Sequence, residues 1–296
     1  MMAARSTTHP YPLPGGRASV RSRRDQVVGT IRGASLFGPR YLKLLGAARS
    51  GSLKKMHDAE REWSKYAVRA ADVTIETHGM HRVDPSEQYI VEPLHEGFAD
   101  VLALSRLPLD LSFSATEELF EWRLLGRYLR ASAHSAISID HRAAAYRTMA
   151  RAAEQAFARR ESYVVFPQGS ILGIETAFHQ GAFHLSARTG HPLLPVVLTG
   201  GATVWEHPYS PNLNFGQTIR LEVLEPVFAT EVLHCAREIE VEMKEKALQA
   251  IPGPRHFDPD RDGWWDGYRY EIDPDYPELA MRVAAHRNTM QLTSDG

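Results

Sequence analysis

A histidine and an aspartate stand five positions apart in Val91-Glu-Pro-Leu-His-Glu-Gly-Phe-Ala-Asp100, directly after the apolar run Tyr89-Ile90-Val91. A histidine oriented by a carboxylate is a ready general base, because the partner fixes the imidazole and stabilises its cationic form. The spacing limits how they can meet. In a regular helix five residues turn through roughly 500°, so His95 and Asp100 would point about 140° apart. They come together only if a loop or the first turn of a helix bends between them, and Gly97 permits that bend.

Three later stretches carry further polar groups at the ends of apolar runs. Phe166-Pro-Gln-Gly-Ser-Ile-Leu-Gly173 makes a sharp turn after a strand, where Gly169 and Ser170 could offer backbone N–H groups to a negative oxygen. Ile137-Ser-Ile-Asp-His-Arg142 ends a strand on charge, and a guanidinium at Arg142 can take a phosphate in bidentate fashion. Pro192-Leu-Leu-Pro-Val-Val-Leu-Thr-Gly200 is an apolar strand between prolines that closes on glycine. Taken singly, the first of these reads as a plain turn, and the second reads equally as a charge at a helix start.

Other chemistries are excluded or weakly supported. Glu96 follows His95, but Ala99 occupies the place of the second histidine of a His-Glu-x-x-His zinc site. No Gly-x-Ser-x-Gly elbow of a serine esterase is present. The single cysteine, Cys235, excludes an internal disulfide and a cysteine-rich zinc site. Asp258-x-Asp260-x-Asp262-Gly263 begins like a calcium loop, yet Arg269 stands where the closing glutamate belongs and Pro259 intrudes, so no metal is expected. His179 and His184, on either side of Gly181, are read as structural.

These residues need a scaffold, and the pattern supplies one. Strands are expected at Val73–Thr77, Gln88–Val91, Leu109–Ser114, Ala136–Ile139, Tyr163–Phe166, Leu193–Leu198 and Thr218–Val223. Helices are expected at His57–Ala71, Phe98–Arg106, Thr116–Leu129 with Thr116 as N-cap, Arg142–Arg160, Gly181–Arg188 and Thr230–Gln249. This alternation predicts an α/β domain over residues 73–250, with a largely parallel central sheet flanked by helices. Ligands of such sheets bind beyond the carboxyl ends of the strands, where all four stretches would lie. Residues 251–296 read as an acidic, aromatic tail held on the body by Trp264, Trp265, Tyr268 and Tyr270.

The ends differ in charge. Net charge is −2, but Met1 to Ala70 holds 14 Lys+Arg against 4 Asp+Glu, or +10, leaving −12 for the remainder. Such asymmetry points the first quarter toward phospholipid headgroups or nucleic acid, or else marks a solvated basic tail; no nucleic-acid recognition motif accompanies it. Residues 1–34 read as a flexible basic arm without the apolar core of a secretory signal. Residues 35–72 read as a helical pair. Leu36, Phe37, Tyr41, Leu44 and Leu45 gather on one face, which suits a helix lying on a membrane or one packed on the protein body. No run approaches the roughly 18 to 20 apolar residues that span a bilayer.

The four stretches, in this order, resemble the blocks of the 1-acylglycerol-3-phosphate acyltransferase (lysophospholipid acyltransferase) family. The matching positions are His95 with Asp100, Asp140 with Arg142, Phe166 through Ser170, and Pro195 through Gly200. The resemblance implies that His95 is the base and Asp100 its orienting partner, with Arg142, Gln168, Gly169 and Ser170 holding the acceptor. It implies an acyl thioester donor, acyl-CoA or acyl carrier protein, as co-substrate without a further cofactor. It implies a lipid-like acceptor, an anionic membrane surface as partner, and a cytoplasmic, peripherally membrane-associated enzyme. Departures bear on the acceptor. Leu94 replaces the usual Asn, Glu96-Gly97 the usual Gln-Ser, Gln168 the usual Glu, and Ser170-Ile171 the usual Thr-Arg; His141 is inserted between Asp140 and Arg142. A non-phosphate or soluble hydroxyl acceptor, or a non-catalytic lipid-binding role, is the alternative.

Overall fold

Apolar runs with branched side chains build the sheet, and amphipathic stretches build its covers. The computed structural model describes residues 40–137, 142–169, 178–201, 204 and 215–250. In chain order these give α1 (40–49), α2 (Leu53–Ala70), β1 (Thr74–His78), β2 (Ile90–Pro93), α3 (Asp100–Leu104), β3 (Leu111–Thr116), α4 (Glu117–Glu121) and α5 (Leu125–Ala131). There follow β4 (Ser135–Ile137), α6 (Arg142–Ala158), β5 (Ser162–Val164), α7 (Gly181–Thr189), β6 (Leu193–Thr199), β7 (Thr218–Val223) and α8 (Val232–Ala250). Expectations for residues 1–39, for the tail from 251 and its calcium-like loop, and for Asp140, His141, Ser170 and Ile171 lie outside the described residues.

The seven strands form one sheet in the order β1-β7-β6-β2-β5-β3-β4. Five strands run parallel, from β6 across β2, β5 and β3 to β4. β7 pairs antiparallel with β6, Val196 opposite Val223 and Thr199 opposite Arg220, and β1 runs parallel to β7. The fold is thus the expected α/β type, with the last pair of strands reversed.

Each face of the sheet is buried, as a mostly parallel sheet requires. On one face Ile90, Leu94, Tyr163 and Leu193 pack against α6, α7 and α8 through Ala153, Phe183 and Met243. On the other, Val91, Val164, Val196 and Leu221 pack against α2 and α3 through Val68 and Leu102. A third cluster joins α1 to α2 and α5, with Leu44, Leu45, Ala48, Met56 and Leu129 all buried. The apolar face of α1 is therefore covered by protein at Leu44 and Leu45. Burying each such leucine contributes roughly 1.5–3 kcal/mol. Leu42, on the same helix, is 68% exposed.

Two elements depart from the sequence pattern. The single helix expected over Thr116–Leu129 is two short ones, because Trp122 adopts an extended conformation (φ −63°, ψ 139°) after α4. Trp122 stacks with Phe98 (centroids 6.2 Å apart), a tertiary contact that competes with helical continuation. Thr116 sits at the N-cap position but its side chain makes no capping bond, whereas Ser52 does cap α2 by accepting from the Lys55 N–H (3.4 Å). The central strand also runs two residues further than its apolar stretch and takes in Glu92 and Pro93. Glu92 is fully buried on the α8 side of the sheet, and among the described residues neither carboxyl oxygen has a hydrogen-bond partner. Burial first, and the Glu240 carboxylate second, hold its carboxyl well above the usual range, which favours the neutral form.

Candidate active site

β2 is central, and its carboxyl end emerges between those of β5 and β6. The last backbone links of this ladder are Val165 N–H to Val91 O (2.9 Å) and Leu94 N–H to Val196 O (2.8 Å). His95 follows at once. The chain then bends through residues 94–99, and Asp100 opens α3. His95 Nδ1 and Asp100 Oδ2 are 2.9 Å apart. The same oxygen accepts the backbone N–H groups of Glu96 (2.7 Å) and Gly97 (3.0 Å). These bonds hold the bend. Gly97 is not among the glycines with positive φ, so the turn uses its N–H rather than its conformational freedom.

With Nδ1 donating to the carboxylate, Nε2 carries the lone pair. Among the described residues Nε2 has no protein partner, and the side chain is 14% exposed while that of Asp100 is 0%. The imidazole lies on the Phe166 ring with centroids 4.0 Å apart and planes 24° apart. A base is thus fixed at one nitrogen and open at the other, in a wall that is partly apolar.

The Phe166–Gly169 turn plays a supporting part. Gln168 is 3% exposed, and its Oε1 accepts the His95 backbone N–H at 3.3 Å. Gly169 has φ +62°, and its N–H closes the turn onto Phe166 O (3.1 Å). That N–H, which the sequence suggested for a ligand oxygen, is used within the turn. The His179 ring lies 3.3 Å from where a Gly169 side chain would begin, and His179 N–H donates to Pro167 O (2.8 Å). His184, exposed, meets the edge of Tyr146 with centroids 6.4 Å apart. Arg142 is the first residue of α6, just past β4. Three strand spacings separate β4 from β2, about 14 Å. Arg142 therefore stands along the same edge as His95 without being brought beside it.

Two contributors were not singled out from the sequence. Glu96 is 4% exposed and its Oε2 accepts the Gly200 N–H at 2.9 Å. Gly201 lies so close to Asp100 that a Cβ there would fall 1.7 Å from Oδ1. Their signals were the unusual residue after the histidine and the paired glycines after β6.

Residues 74–199 match the family model described as Acyltransferase. The match contains β1 through β6 and the His95–Asp100 pair, in keeping with the resemblance noted in the sequence. Among solved structures, the chain is similar to the crystal structure of the 1-acyl-sn-glycerophosphate (LPA) acyltransferase, PlsC, from Thermotoga maritima. The TM-score is 0.61, covering 78% of this chain and 99% of that one at 18% sequence identity, a likeness of fold. Among curated proteins, none matches this chain by sequence.

Proposed function

We propose that this acyltransferase moves a fatty acyl group from an acyl thioester, acyl-CoA or acyl carrier protein, to a hydroxyl of a lysophospholipid-like acceptor. The observation that carries the reading is the His95 imidazole, tied to Asp100 at Nδ1 (2.9 Å) and, among the described residues, without a protein partner at Nε2. Nε2 takes the proton of the acceptor hydroxyl as its oxygen bonds to the thioester carbon. The carbon–sulfur bond then breaks, and the imidazolium returns its proton to the departing thiolate. Base catalysis of this kind typically contributes about 10² to 10⁴ in rate. Cys235 is buried in α8 and its thiol is pushed up by burial, which suits it poorly to be a covalent acyl carrier. Similarity to a 1-acyl-sn-glycerophosphate acyltransferase favours a lipid acceptor and a place in phospholipid synthesis. The neutral Gln168 and Ile171, where the resembling family has Glu and Arg, favour testing acceptors without a phosphomonoester as well.

The test is thiol release from palmitoyl-CoA with lysophosphatidate, lysophospholipids of other headgroups and simple alcohols, run beside His95→Ala. At least one acceptor should raise thiol release, and the variant should lose about 10² to 10⁴ of that rate. Equal release by both proteins across the panel overturns the reading.

The same reading includes peripheral attachment to an anionic membrane. No helix among the described residues is long and apolar enough to cross a membrane. Support comes from the +10 charge of the first seventy residues and from two exposed leucines, Leu42 and Leu124, at 68% and 59%. The Tyr41 hydroxyl, from the residue before Leu42, donates to Leu124 O (2.9 Å) and so joins the two segments that carry these leucines. Arg123 and Arg127 flank Leu124 and are exposed. Full-length protein should co-sediment with vesicles containing anionic lipid and far less with zwitterionic ones. Equal sedimentation with both removes the electrostatic part of the proposal.

A further inference from the structure

Beyond residue 94 the backbone ladder of β2 stops, yet His95 must stay fixed between two neighbouring strand ends. Two side chains replace the missing backbone bonds. On the β5 side Gln168 Oε1 accepts the His95 N–H (3.3 Å). On the β6 side Glu96 Oε2 accepts the Gly200 N–H (2.9 Å). The second link is the more consequential. Glu96 is 4% exposed, and its own N–H donates to Asp100 Oδ2, the oxygen that orients His95. One residue therefore touches the dyad through its backbone and the β6 end through its side chain.

The far partner of this link is itself tightly held. Gly200 has φ +90°, and a Cβ there would fall 2.3 Å from Thr218 O of β7. That position is left-handed and pressed against β7, so it suits glycine alone. Gly201 next to it presses its backbone against Asp100 Oδ1, where a Cβ would fall 1.7 Å away. The glycine pair thus backs the Asp100 carboxylate, and Glu96 ties the pair to the histidine loop. A carboxylate is an acceptor at each oxygen, so it meets a backbone N–H directly.

We propose that Glu96 is a positioning residue of the acyl-transfer site, whose carboxylate clamps the Gly200–Gly201 turn against the His95–Asp100 pair. This rests on the acyl-transfer reading above for its consequence in rate, but not for the clamp itself. Glu96 does not meet the reacting atoms; it acts by holding the imidazole where Nε2 faces an acceptor. Small misplacements of such a base cost on the order of 10²-fold in rate. Glutamine keeps an acceptor oxygen for the Gly200 N–H, whereas alanine removes it.

The experiment compares wild type, Glu96→Ala and Glu96→Gln in two measurements. In thiol-release kinetics, Glu96→Ala should lower kcat roughly 10- to 100-fold with KM for donor and acceptor within about threefold, and Glu96→Gln should recover most of that loss. In nitrogen-detected NMR of the imidazoles, His95 of wild type and Glu96→Gln should show one tautomer, protonated at Nδ1. In Glu96→Ala that signal should broaden or split. A Glu96→Ala protein with unchanged kcat and an unchanged His95 tautomer overturns the clamp, as does Glu96→Gln behaving like alanine in both measurements. If wild type transfers no acyl group to any acceptor, the function falls while the NMR comparison still decides the clamp.

Discussion

Asp100→Asn should lower kcat by about 10² to 10⁴ while leaving the fold and KM nearly unchanged. The geometry makes this substitution unusually clean. All three donors, His95 Nδ1 and the N–H groups of Glu96 and Gly97, converge on Oδ2. Among the described residues Oδ1 has no hydrogen-bond partner, and it faces the Gly201 backbone. Asparagine can set its amide oxygen at the Oδ2 position and its NH2 at the Oδ1 position, with no donor opposing it. The bend and the His95 tautomer then survive, and what is lost is the negative charge that stabilises the imidazolium as the hydroxyl proton arrives. Steady-state kinetics with the best acceptor, together with a thermal melt, check the result. A kcat within tenfold of wild type would show that Asp100 only shapes the loop. The double variant with His95→Ala should be no slower than His95→Ala alone, because two members of one catalytic unit do not add.

The sequence disclosed the His95–Asp100 pair more fully than its setting. Alternating apolar runs placed every strand within about two residues and β7 without error, because β-branched runs bounded by polar residues leave little freedom. The His95–Asp100 pair was legible because five positions with a bend between them can only serve one another across a turn. The reversed direction of β7 was not legible, since side-chain alternation is the same for a strand read either way. Nor was the inclusion of Glu92 and Pro93 in the central strand. A carboxyl group and a residue without an N–H argue against a strand interior, and what reconciles Glu92 with the core is that burial raises its pKa and so favours the uncharged form. The break at Trp122 depended on Phe98, more than twenty positions earlier and silent in any local pattern. The clamp at Glu96 was hidden for the same reason, since Gly200 lies over a hundred positions away.

His57→Leu should destabilise the protein by about 3–5 kcal/mol near pH 6, and the penalty should shrink as pH rises from about 6.5 through 9. His57 sits on α2, 3% exposed, with Nδ1 2.9 Å from Glu60 and Nε2 2.8 Å from Glu161. Burial alone would lower its pKa, but the hydrogen bonds of Glu161 and Glu60, with the charge of Asp110 behind them, raise it from 6.5 to about 9. Glu60 shows the reciprocal effect. Burial opposes its charge, yet bonds from His134 and His57 hold it at about 2. Tyr128 also donates to Glu60, and Arg159 pairs with Glu161 at 2.7 Å, so the cluster ties α2 to α5 and to the entrance of β5. A folded-state pKa raised above the unfolded value stabilises fully below pH 6.5, and that contribution is lost as pH rises through 9. The shift corresponds to a contribution on the order of 3 kcal/mol, shared with the Glu60 shift rather than added to it. Other groups titrate in the same range, so the quantity to follow is the difference in unfolding free energy between wild type and His57→Leu, from urea melts at pH 6, 7, 8, 9 and 10. The difference should be largest at pH 6 and fall between about pH 6.5 and 9, leaving little of it at pH 10. A difference that stays flat with pH would mean that His57 contributes by packing, and that the helical pair is held to the sheet by its apolar cluster alone.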